Sequence, residues 1–114
     1  MRSLITVVIV DPGVEPDIAE VTANYQTYQK IVGGYIQYLP TDDPEMIAYI
    51  DEEAKLKPGV VHNKVGTEMF ERVSPGFLSG DDYIAGTIVF LGLDEEGVEC
   101  SLTKEQLGSL KSVL

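Results

Sequence analysis

Leu4-Ile5-Thr6-Val7-Val8-Ile9-Val10-Asp11-Pro12-Gly13 is the stretch on which the reading of the fold turns. Six of its first seven residues are apolar, and Thr6 is β-branched, so the run suits a pleated strand; Pro12-Gly13 stops it. A strand with no polar alternation is covered on both faces, which places it inside a sheet. Beyond the turn, Pro16 opens a second extended stretch around Ile18, Ala19 and Val21. Proline lacks the ladder N–H and confines that stretch to a strand start or an edge, so the two runs form a hairpin.

Working outward, Asn24 is placed to cap a helix with Tyr25, Tyr28 and Val32 along one stripe and Gly33 at its stop. Tyr35–Leu39 reads as a strand ended by Pro40, and Glu45–Asp51, rich in β-formers, as another. From Glu52 to Asp82 the chain is irregular, punctuated by Pro58-Gly59 and Pro75-Gly76. Asn63 there caps a helix with Val65, Met69 and Val73 on one face. Ile84–Leu91 returns to strand, with Gly86 marking a bulge or close approach, and Glu95-Glu96-Gly97 turns into a short strand around Val98 and Cys100. At the end, Thr103 and Gln106 form a capping box, Leu102 and Leu107 a hydrophobic staple, and Leu107, Leu110 and Leu114 a buried stripe. Residues 1–114 are expected to form one domain of class α+β, a mixed or mainly antiparallel sheet with its helices packed on one face.

Composition narrows the functional classes. Apolar residues make up 44% and charged residues 24% of the chain, a globular and not a disordered profile. The net charge of −11, from 19 acids against 8 bases, opposes direct nucleic-acid binding and adsorption to an anionic membrane. A lone Cys100 and the absence of a cleavable leader point to a cytoplasmic protein, in the host cell if it is encoded by a phage. Cys100 and His62 are one residue of each kind, too few for a zinc site, and no carboxylate run follows the calcium-loop spacing. No cofactor or metal is expected. No nucleophile is paired with a base in sequence, so enzymatic activity is not expected; Asp51-Glu52-Glu53, Asp81-Asp82 and Asp94-Glu95-Glu96 read as solvated turns.

Two features remain as functional candidates. Lys55, Lys57, Lys64 and Arg72 are four of the eight bases and all fall in the irregular middle. With Asn63 as an amide and Tyr35 as a stacking face, they make the candidate ligand-binding set Tyr35, Lys55, Asn63, Lys64 and Arg72, suited to a small phosphorylated ligand. A homo-oligomer sharing a pocket between subunits would enlarge that site. The other candidate is the acidic surface, which suits a basic host protein. Gly33-Gly34 ends a helix and lets a ligand or strand come close to the backbone before Tyr35.

The elements Ile9-x-Asp11-Pro12-Gly13-x-Glu15-Pro16, Val32-Gly33-Gly34-Tyr35-Ile36, Asp51-Glu52-Glu53-Ala54-Lys55, Asn63, Ile84-Ala85-Gly86-Thr87 and Gly92 together resemble a family of small proteins from phages, plasmids and Gram-positive or actinobacterial genomes, a domain of unknown function. Val-Gly-Gly-Tyr-Ile is the most specific element. Where that family tends to have Asn-Glu-Glu-Gly-Lys, this chain has Asp51 and Ala54, and it is longer between Asn63 and Asp81. The resemblance implies an accessory protein of a mobile element; with the basic residues of the middle segment, the leading expectation is a non-enzymatic binding protein, a host-defence inhibitor that sequesters a nucleotide-type signal. Two alternatives are an acidic decoy that occupies a host protein in place of nucleic acid, and a small hydrolase using carboxylates. It implies no catalytic residues.

Overall fold

The computed structural model describes residues 3–111. In chain order the elements are β1 (Leu4–Val10), β2 (Asp17–Thr22), α1 (Tyr25–Val32), β3 (Ile36–Pro40), β4 (Met46–Asp51), a 3-10 turn at Ala54–Leu56, α2 (Lys64–Val73), β5 (Ile88–Leu93), β6 (Glu99–Cys100) and α3 (Lys104–Lys111). The strands form one antiparallel sheet in the order β2-β1-β5-β4-β3, with β6 paired to the end of β5. This is an α+β fold. β1 lies inside the sheet, and β2, which follows Pro16, lies at its edge.

The local signals are met by the geometry they require. Asn24 accepts the Thr27 N–H at 2.8 Å, and Gly33 closes α1 with φ 88°. In α3 the Thr103 hydroxyl accepts from Gln106 N at 3.1 Å while Gln106 Oε1 accepts from Thr103 N at 2.9 Å, a reciprocal capping box. Leu102 is buried and Leu107 half-buried against the same cluster. Leu110 is buried as expected; Leu114 lies outside the described residues.

The helices do not share one face. Val8, Val10, Met46, Ala48, Ile88 and Phe90 point to the side covered by α2 and α3, whereas Ile5, Val7, Ile47, Tyr49, Val89 and Leu91 point to the side where α1 lays Tyr28 and Val32. The physical reason is in the strands themselves. Central strands that are apolar at consecutive positions present apolar surface both ways, and each face must be removed from water at roughly 25 cal/mol per Å². β5 also starts later than expected, at Ile88. Gly86 has φ 71°, which breaks the extended run, and Ala85 instead makes an isolated bridge to His62.

On the α1 face Tyr28 and Tyr49 lie with ring centroids 5.2 Å apart, and the Tyr49 hydroxyl donates to Glu99 at 2.7 Å. Burial, then the charge of Glu99, pushes the Tyr28 pKa up to about 12. Its hydroxyl has no protein partner among the described residues. An unpaired buried polar group costs about 1–3 kcal/mol, so Tyr28→Phe, which keeps the ring, should leave thermal stability unchanged or raise it. A fall in melting temperature would reveal a partner for the hydroxyl.

Candidate functional site

β1 and β4 end where β3 and β5 begin, since Ile36 pairs with Asp51 and Ile88 with both Val10 and Ile50. Antiparallel pairing therefore gathers Asp11-Pro12-Gly13, Gly33-Gly34-Tyr35, Asp51–Leu56 and Gly86-Thr87 at one end of the sheet. Three clefts open there, and Asp51 lines all of them. The best enclosed, about 140 Å³, lies between β3–β4 and the segment after α2; Leu39, Ile50 and Ile84 line it, with Gln37, Glu52, Lys55, Asp82 and Tyr83.

Asp51 is not a solvated turn residue. It is 5% exposed, accepts the Glu53 N–H at 3.0 Å through Oδ1 and takes the Lys57 ammonium at 2.5 Å on Oδ2. Lys57 also donates to the Gly33 carbonyl at 2.8 Å, tying the end of α1 to the end of the 3-10 turn. A Cβ on Gly34 would stand 2.6 Å from Asp51 Oδ1. Gly33 supplies the left-handed stop and Gly34 the room, and what approaches the backbone is the chain's own carboxylate.

Asn63 is wholly buried and uses its amide internally. Oδ1 accepts from Gly66 N at 2.9 Å as the cap of α2, and Nδ2 donates to Val10 O and Gly86 O at 2.8 Å each. Both donor hydrogens are spent, so the expectation that Asn63 presents an amide to a ligand is corrected to a structural bridge. Lys55 ion-pairs with Asp82 and lies 4.5 Å from the centroid of the Tyr83 ring, on which His62 also packs. The Lys55 ammonium holds the Asp82 carboxyl below the usual range. Tyr35 is exposed beside Gly34, Glu53 and Lys57. Lys64 and Arg72 stand exposed near the two ends of α2, about 12 Å apart along its axis. Of the candidate set, the fold brings Tyr35 and Lys55 to one end of the sheet, buries Asn63 beneath it and leaves Lys64 and Arg72 along a helix.

At the opposite end a second group forms. The Glu45 carbonyl accepts the Leu93 N–H at 2.9 Å, and Gln106 Nε2 donates to Asp43 Oδ2 and to the Glu45 carbonyl at 3.0 Å each. These bonds lock together the β3–β4 turn, the β5–β6 turn and the start of α3. They collect Asp42, Asp43, Glu45, Asp94, Glu95, Glu96 and Glu105, with Lys104 the one base in those segments. Cys100 lies beside this group, and burial, then Asp94 and Glu45, push its thiol pKa up. A raised thiol pKa disfavours the thiolate a nucleophile needs. His62 bridges to Ala85 before β5 while Cys100 pairs with Gly92 near its far end, so the two cannot act together. Asp82, held ionised, is likewise the reverse of a general acid.

The Asp51–Lys57 pair is barely foreshadowed in the sequence. Its only trace is a strand of β-formers that ends in a carboxylate opposite a double glycine. Among the described residues no cluster of His, Cys, Asp and Glu is placed to hold a metal ion, and no helix is long and apolar enough to cross a membrane. Residues 5–114 match the family model described as a domain of unknown function, DUF3846, and the chain belongs to that family. No curated protein and no solved structure matches it.

Proposed function

We propose that this DUF3846 domain is a non-catalytic binding module whose acidic surface captures a basic host protein in place of nucleic acid. Its likeness to small phage and plasmid proteins supports an accessory role in a mobile element, carried out in the host cytoplasm. The observation that carries the reading is the joining of three separate segments, with seven acids and one lysine between them, at one end of the sheet. Sequestration of a phosphorylated ligand has less support. It needs free cations in one pocket, and Lys55 and Lys57 are already paired with Asp82 and Asp51.

The test separates exposed carboxylates from structural ones. Asp43 and Asp94 accept turn and α3 hydrogen bonds and Asp51 is buried, so they stay. A variant carrying Asp42→Asn, Glu45→Gln, Glu95→Gln, Glu96→Gln and Glu105→Gln should fold normally. The unaltered domain, immobilised, should retain basic proteins from a bacterial lysate that duplex DNA displaces. Retention should fade as salt rises well past about 0.1 M, where the screening length is about 10 Å. Equal retention by the variant would sink the reading.

A further inference from the structure

We propose that β3 is a docking edge for an extended segment of a basic partner chain, which adds to the sheet as a further strand and lays alternate side chains into the cleft beside it. This goes beyond the capture of basic surfaces and takes from that reading only the sign of the partner's charge.

β3 is the last strand on its side of the sheet. The Glu52 N–H donates to the Tyr35 carbonyl, so in the alternating antiparallel pattern Gln37 and Leu39 face β4 and Ile36, Tyr38 and Pro40 face outward. The Pro40 carbonyl confirms this phase, because it accepts from the Ser74 hydroxyl, off the sheet. The outward N–H and C=O of Ile36 and Tyr38 meet no hydrogen-bonding group among the described residues.

The two edges of the sheet are treated differently. β2 carries exposed Asp17 and Glu20, charges of the kind that guard against unwanted pairing, whereas the one proline within either edge strand, Pro40, stands at the last residue of β3. β3 reads Ile-Gln-Tyr-Leu-Pro, with no charge, and its Tyr38 is 53% exposed. An uncharged edge of this kind is a template for strand addition. Directly beside it lies the cleft floored by Leu39, Ile50 and Ile84, with Glu52 and Asp82 at its rim. A lysine or arginine of an added strand would bury its stem on that floor and bring its charge to Glu52. Lys55, the one cation of the rim, is neutralised by Asp82. Charge also selects against a second copy of this chain, because two chains of net charge −11 repel.

The probe is a blocked nine-residue peptide alternating Arg and Val, with three comparison peptides: one N-methylated at every second amide, one N-methylated at the intervening amides, and one with Glu for Arg. Titration of the full chain, followed by NMR, should slow amide exchange at Ile36 and Tyr38 at least tenfold. One of the two methylation patterns and the Glu peptide should each bind at least tenfold more weakly, and Glu52→Gln should weaken the Arg peptide at least threefold. Strand addition is overturned by no binding, by equal binding of both methylated peptides, or by perturbation confined to the acidic end; in that last case charge-driven capture survives. Equal binding of the Glu peptide removes the basic partner. Sedimentation showing a dimer that the peptide dissociates would make a second copy the natural occupant and overturn the proposal. The amide variant of the acidic end should bind this peptide within twofold, so the two readings fail separately.

Discussion

Asn63→Ala should lower unfolding free energy by roughly 3–5 kcal/mol, since each buried partner left unpaired costs about 1–3 kcal/mol and some of that is recovered by solvent. Three groups lose their partner: the Gly66 N–H, the Val10 carbonyl and the Gly86 carbonyl. The side chain is fully buried, so the loss also leaves a cavity. Asn63→Asp is the more informative change. Aspartate caps helices as well as asparagine, so a residue that only capped α2 would tolerate it. Here it would aim a carboxylate at two carbonyl oxygens with no donor left to bridge them. Urea denaturation should therefore rank Asn63→Asp at least as damaging as Asn63→Ala. For a domain whose total stability is about 5–15 kcal/mol, either is a large fraction. Wild-type stability for Asn63→Asp would show that the two amide donors contribute nothing.

Asn63 also shows where sequence reasoning stops. The cap was legible because its partner is three residues away; Asn24 with Thr27, Thr103 with Gln106 and Gly33 with Gln29, three or four residues apart, were legible for the same reason. The amide's other two bonds reach Val10 and Gly86, on segments that meet only through β1–β5 pairing. The same limit explains the misplaced α1. Its amphipathic stripe was visible, but which face of the sheet it covers depends on where the chain crosses, and strands apolar on both faces accept it on either. Likewise Lys55, Lys57, Lys64 and Arg72 are neighbours in sequence only. The 3-10 turn sends the first two to Asp82 and Asp51, and α2 carries the others away. Asp51 looked solvated because two exposed acids follow it, whereas its cation lies six residues on and its steric partner, Gly34, on the preceding strand connection.

The Asp51–Lys57 pair carries the second large expectation, and it is asymmetric. The Asp51 side chain is 5% exposed and that of Lys57 47%. Lys57→Met strips the cation from a buried carboxylate and leaves it only the Glu53 N–H. Breaking a buried pair this way costs about 3–5 kcal/mol, and the open side of Lys57 puts the expectation near the lower end. Asp51→Asn keeps an oxygen for the Glu53 N–H and strands only an ammonium that can turn into water, so it should cost about 1 kcal/mol, the scale of one ordinary hydrogen bond. The double variant should then be more stable than Lys57→Met alone, a non-additivity expected only of residues in direct contact. Because Lys57 also holds the Gly33 carbonyl, its loss frees the chain entering β3. Amide exchange at Gln37, whose N–H faces β4, should accelerate in Lys57→Met and stay near wild type in Asp51→Asn, where the lysine can keep Gly33. Acceleration of equal size in both would mean that the carboxylate, and not the lysine bridge to Gly33, fixes the start of that edge strand.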